Sequence, residues 1–108
     1  MKILTAEQIR DILSLYKKYG WTLRQVLLTA KLRNNLGNLT ENLFNLVEII
    51  ESEVDAVWFS RASENDKEAW EIRRLSQTPY ALVEVFEAED EEEVRNEIRH
   101  ELEAKLLG

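Results

Sequence analysis

The first forty residues carry apolar side chains at helical spacing, interrupted by short polar signals. Thr5 and Gln8 have the spacing of a capping box, so the pattern predicts a first helix that runs from there to Gly20. Thr22 and Gln25 repeat this spacing immediately after Gly20. The sequence therefore predicts a second helix that follows the first with almost no linker.

A third amphipathic segment begins near Asn38. Asn38 and Glu41 again have capping-box spacing, and the apolar residues that follow fall on one helical stripe. These residues are Leu39, Leu43, Leu46, Val47 and Ile50. The end of this helix stays open, because Val47, Ile49 and Ile50 are β-branched and also suit an extended segment. We therefore expect two or three N-terminal helices.

Beyond residue 53 the pattern changes to short segments rich in β-branched and aromatic side chains. Residues 54–60 and 80–86 are dense in such side chains and are bounded by turn formers, which predicts strands. In the second segment both faces are largely apolar, which is typical of an interior strand covered on both sides. Pro79 stands at its start, where a missing N–H does little harm.

The segment between these two strands, residues 64–76, suits either a strand or a helix. Trp70 and Ile72 alternate with charged residues as they would in a strand, yet the segment also contains many helix formers. We favour the strand, which makes residues from about 54 to 87 a small three-stranded antiparallel sheet. A helix here would instead connect two parallel strands.

The last part of the chain, from about residue 90 to 107, predicts an amphipathic helix. Asp90 and Glu93 have capping-box spacing, and acidic residues are favourable at the positive end of a helix. Its apolar stripe consists of Val94, Ile98, Leu102 and Leu106. The expected fold class is α+β, with N-terminal helices, a small sheet and a C-terminal helix in a single domain over residues 1–108.

The composition narrows the class of protein. The chain has 108 residues and no cysteine, so disulfides and thiolate metal sites are excluded, and we expect a reducing, cytoplasmic location. It has no apolar run approaching the ~18 residues that a membrane span requires. Its N-terminus also lacks the pattern of a secretory signal. We therefore expect no membrane partner.

Charge is divided unevenly along the chain. Residues 1–40 carry a net charge of +5 and residues 41–108 carry −12, which gives −7 overall. A basic half attracts acidic surfaces, whereas an acidic half repels nucleic acid and anionic membranes. The candidate interaction surface consists of basic side chains of the predicted second helix and one partly exposed aromatic residue: Arg24, Lys31, Arg33 and Trp70.

The order of two or three helices and a strand pair resembles the outline of a winged helix. The resemblance implies a recognition helix that exposes Arg24, Lys31 and Arg33, and nucleic-acid binding is therefore the alternative function. The acidic second half and a pI near 4.8 oppose it, because phosphate attraction dominates such binding.

No group of residues specifies catalysis. His100 is the single histidine and has glutamates three residues away on both sides, but a carboxylate-bridged metal site needs a second such motif. Glu84 lies in an otherwise apolar strand, where we expect an arginine from a neighbouring strand to pair with it. We predict no catalytic residue, no cofactor and no metal. The expected function is that of a small non-catalytic interaction or regulatory protein that binds another protein or itself.

Overall fold

The computed structural model describes residues 4–76 and 78–107, and within these ranges the chain forms four α-helices and a five-stranded sheet. The helices are α1 (Ala6–Lys18), α2 (Ala30–Leu36), α3 (Leu39–Phe44) and α4 (Glu92–Leu107), and a 3-10 turn spans Glu64–Asp66. The strands are β1 (Thr22–Leu28), β2 (Ile49–Glu51), β3 (Ala56–Ala62), β4 (Glu68–Arg74) and β5 (Ala81–Phe86). Their order is β2-β1-β3-β4-β5, with β1 and β2 parallel and the other neighbours antiparallel. The α+β class is confirmed.

Helices cover both faces of the sheet. Helices α1, α2 and α3 pack on one face, called the α1 face, where Val57 and Phe59 of β3 join their core. Helix α4 packs on the other face, called the α4 face, where Trp58 and Ile72 lie beneath Leu102. Strand β3 is thus buried on both sides and forms the centre of the molecule.

The first helix forms as its local signals predict. The Thr5 N–H donates to Gln8 Oε1 at 2.9 Å, and the Gln8 N–H donates to Thr5 Oγ1 at 3.2 Å, which completes the capping box. After the helix, Gly20 adopts a positive φ of 86° that glycine tolerates without strain. The chain can therefore turn directly into the sheet.

The prediction of a second helix directly after Gly20 is wrong. Residues Thr22–Leu28 form strand β1, which lies between β2 and β3. Its side chains reach both cores, because Val26 and Leu28 face α1 and Leu27 faces α4. Burial on two sides favours a strand over an amphipathic helix. The second helix begins only at Ala30, where Thr29 caps it by accepting the Leu32 N–H at 3.1 Å.

The predicted three-stranded sheet is present as β3, β4 and β5, and β4 confirms the preferred strand interpretation of residues 64–76. The prediction was incomplete, because β1 and β2 widen the sheet within the described residues. Helix α3 ends at Phe44, and the open segment after it includes the short strand β2. Helix α4 begins at Glu92, one residue later than an N-cap at Asp90 would place it, and the Asp90 carboxylate instead accepts the Glu87 N–H at 2.8 Å.

Candidate interaction surface

The four residues of the predicted surface lie on opposite faces of the sheet. Lys31 and Arg33 are exposed on α2, which packs on the α1 face. Arg24 is exposed on β1 and lines the α4 face, where Trp70 is only 8% exposed. The winged-helix outline is not realised, because the segment that carries Arg24 is a strand and the three basic residues do not share one helix.

A β-bulge directs Arg24 towards Trp70. Regular pairing of β1 with β3 shifts between Leu23 and Gln25, so Arg24 is the extra residue of the bulge. Arg24 and Gln25 therefore line the same cleft, and the Arg24 guanidinium lies 5.3 Å from the centre of the Trp70 ring. The guanidinium of Arg99 on α4 lies 4.4 Å from the same ring. Two cations thus cover a buried indole.

A cleft of about 390 Å³ opens beside these residues, between β1 and α4. Its polar lining includes His100 and three glutamates, Glu68, Glu92 and Glu103. Within the described residues, no group of three or more acids and histidines is placed to hold a metal ion. The carboxylates of the cleft accept hydrogen bonds from other side chains of the fold.

Each of the three cleft carboxylates is already bound by side chains of the fold. Glu68 accepts a hydrogen bond from Trp70 Nε1 and pairs with Arg95 at 3.1 Å. Arg99 donates to Glu92, and Glu103 Oε2 accepts from Trp58 Nε1 at 2.8 Å. Two of these four contacts connect α4 to the sheet: Arg95 to Glu68 of β4, and Glu103 to Trp58 of β3. The charged residues of the cleft therefore hold α4 against the sheet.

Strand β5 lies at an edge of the sheet, although its sequence is typical of an interior strand. The register between β4 and β5 places Val83 opposite Glu71. The Glu71 side chain lies on the α1 face, because its carboxylate accepts a hydrogen bond from Tyr16 of α1. Val83 and Val85 therefore lie on the α1 face as well. Helix α1 does not cover them: Val83 is 54% exposed and Val85 is 49% exposed. On the α4 face, by contrast, Phe86 is buried. One face of β5 is therefore apolar and open.

The outer backbone of β5 is open as well. The Arg74 N–H donates to the Tyr80 carbonyl at 2.9 Å, so residue 80 and every second residue after it turn their backbone groups towards β4. Ala81, Val83 and Val85 therefore direct their N–H and C=O groups outwards. We call the outward backbone of these three residues, with their side chains, the β5 edge.

The opposite edge of the sheet is built differently. Strand β2 has three residues and ends at the exposed Glu51. Short length and a charged residue are two devices by which proteins protect an edge strand from pairing. Strand β5 has six residues, and the three whose backbone groups point outwards are Ala81, Val83 and Val85. Of these two edges, β5 is the longer and the less protected.

Comparison with known proteins finds no matching family model, no matching curated protein and no matching solved structure. Among the described helices, none combines the length and apolar composition required to cross a bilayer. The sequence shows that β5 is apolar, but it does not show that β5 lies at an edge of the sheet.

Proposed function

We propose that this protein is a non-catalytic interaction module that binds a partner strand along the β5 edge. The observation that carries the proposal is an apolar, unprotected edge strand. Proteins normally protect edges with charge, proline, bulges or short length, because exposed backbone groups pair with other chains. Residues 81–86 contain one charged side chain, Glu84, and no proline.

The composition of β5 further supports this proposal. Strands with apolar residues on both faces normally lie inside sheets. A partner strand would give β5 that environment, because it would pair the outward N–H and C=O groups and cover part of Val83 and Val85. Strand addition of this kind is a common mode of protein recognition, in which backbone hydrogen bonds give affinity and side chains give specificity.

The charged cleft suits a structural role in this proposal. Glu68, Glu92 and Glu103 each accept a hydrogen bond from another side chain of the fold. Glu68, through Arg95, and Glu103, through Trp58, connect α4 to the sheet, which supports a structural role for these two carboxylates. We further propose a cytoplasmic location, since a cysteine-free chain suits a reducing compartment.

Capture of partners on immobilised protein tests the proposal. Val83→Lys and Val85→Lys place a charge on the β5 edge, and we expect each variant to lose the proteins that the natural chain retains in a mass-spectrometric pull-down. Leu46→Lys is the matched control, because Leu46 is fully exposed in the loop between α3 and β2. Far-ultraviolet circular dichroism checks that the variants fold. Equal retention by all the proteins, together with an unchanged molecular mass of the β5 variants, would overturn the proposal.

A further inference from the structure

We infer that the partner strand is β5 of a second copy, so that two molecules form a twofold dimer with one continuous sheet. This inference rests on the proposed function and names its partner. Antiparallel pairing of a strand with its own copy needs a twofold axis perpendicular to the sheet. Such an axis keeps the α1 faces of both copies on the same side.

An axis at Val83 pairs the outward groups completely. Val83 then lies opposite Val83 of the second copy, and Ala81 lies opposite Val85 of the second copy. These are the residues whose backbone groups point outwards, so each pair exchanges both of its N–H···O bonds. Because the two strands are identical in length, every outward N–H and C=O group of Ala81, Val83 and Val85 has a hydrogen-bond partner in this register.

The same axis also matches the side chains. On the α1 face, Ala81, Val83 and Val85 of both copies meet in one apolar patch and shield each other from water. On the α4 face, Leu82 lies opposite Glu84 of the second copy. The two glutamates therefore do not face each other directly.

The neighbouring registers are worse for identifiable reasons. An axis at Glu84 would place this carboxylate directly opposite its own copy, and like charges opposite each other destabilise a strand pair. An axis at Leu82 would place Pro79 opposite Val85, where proline has no N–H to donate to the outward carbonyl. Val83 is therefore the residue we place on the axis.

A closed dimer is also favoured over a chain of copies. Pairing β5 of one molecule with β2 of the next would leave half of β5 unpaired, because β2 has three residues. It would also be a head-to-tail contact, which produces a ring or an open filament in place of a closed pair. Pairing β5 with β5 uses the long edge twice and leaves only the short, acidic β2 edges exposed.

Sedimentation and light scattering over a range of concentrations test the dimer. We expect the natural chain to have dimer mass, and Val83→Lys and Val85→Lys to halve it while circular dichroism stays unchanged. Leu46→Lys should keep the dimer mass. A natural chain that remains monomeric at every concentration would overturn the inference, as would a dimer that both β5 variants leave intact.

Single cysteines test the register, because the natural chain has no cysteine and only the introduced sulfur can cross-link. On the axis, the two Cα atoms of residue 83 are about 5.5 Å apart, which a disulfide spans. Under mild oxidation we expect Val83→Cys to form covalent dimers faster than Leu82→Cys or Glu84→Cys. Faster cross-linking of either control would contradict the axis at Val83.

The two proposals fail in distinguishable ways. If the natural chain is monomeric but the β5 variants lose a captured protein, the partner is not a second copy, and the proposal that the β5 edge binds a partner strand is retained. Variants that change neither the mass nor the capture would overturn both.

Discussion

The hydroxyl of Tyr16 on α1 donates a hydrogen bond to the carboxylate of Glu71 on β4. The Tyr16 ring also stacks on Phe59 of β3, with the ring centroids 4.0 Å apart. Burial of the phenol, its hydrogen bond to Glu71 and the negative charge of Glu71 raise the pKa of Tyr16 well above its ordinary value near 10, whereas Arg73 lowers it. The pair therefore ties helix α1 to the sheet only while Tyr16 keeps its proton.

This relationship predicts a loss of stability in alkali. Because the pKa of Tyr16 is higher in the folded state, the unfolded chain releases this proton at a lower pH than the folded chain does. The contribution of the Tyr16–Glu71 pair to the free energy of unfolding is therefore complete below pH 10 and declines as the pH rises above it. Urea unfolding from neutral pH to above pH 10 measures the decline, and Tyr16→Phe should make it shallower. Equal slopes for the natural chain and the variant would contradict the assignment to Tyr16.

At neutral pH, Tyr16→Phe tests how much the hydrogen bond to Glu71 contributes to the free energy of unfolding. We expect Tyr16→Phe to lower the free energy of unfolding by about 1 kcal/mol, because it removes one partly buried hydrogen bond. Tyr19→Phe is the matched control, since Tyr19 is exposed at the end of α1, and its effect should stay within about 0.5 kcal/mol. Similar losses from both variants would show that the bond to Glu71 contributes nothing specific.

The packing of α4 can be tested with two adjacent leucines. Leu106 is buried against the α4 face of the sheet, whereas Leu107 is exposed. Leu106→Ala should lower the free energy of unfolding by about 2–5 kcal/mol, because it leaves a cavity in the core. Leu107→Ala should change it by no more than about 0.5 kcal/mol. Denaturant unfolding measures both values, and comparable effects would mean that α4 does not pack as described.

Arg99 and His100 offer a second adjacent pair, on the cleft side of α4. Arg99 lies over Trp70 and donates to Glu92 and Asn96, while His100 is exposed in the cleft. Arg99→Ala should cost about 1–2 kcal/mol through the lost contact of its stem and guanidinium with the indole. His100→Ala should be nearly neutral in urea unfolding. A larger loss at His100 than at Arg99 would contradict a structural role for the cation over Trp70.

Several elements were determined by the sequence alone. Thr5, Gln8 and Gly20 place α1, because capping and the left-handed turn act between residues within a few positions of each other. The apolar stripe of residues 90–107 likewise identifies α4, and the β-branched and aromatic side chains of residues 54–60 and 80–86 identify β3 and β5. The alternation around Trp70 favoured a strand for β4 without excluding a helix. Such local preferences are contained in the order of the amino acids.

Tertiary structure decided the rest. Thr22 and Gln25 have helix-capping spacing, yet pairing with β2 and β3, which lie far along the chain, makes their segment a strand and creates the bulge at Arg24. The apolar character of β5 is visible in the sequence, but strand order places it at an edge, where Val83 and Val85 stay open. The physical reason is that pairing between distant segments adds hydrogen bonds and burial on two faces, which together outweigh local helix signals.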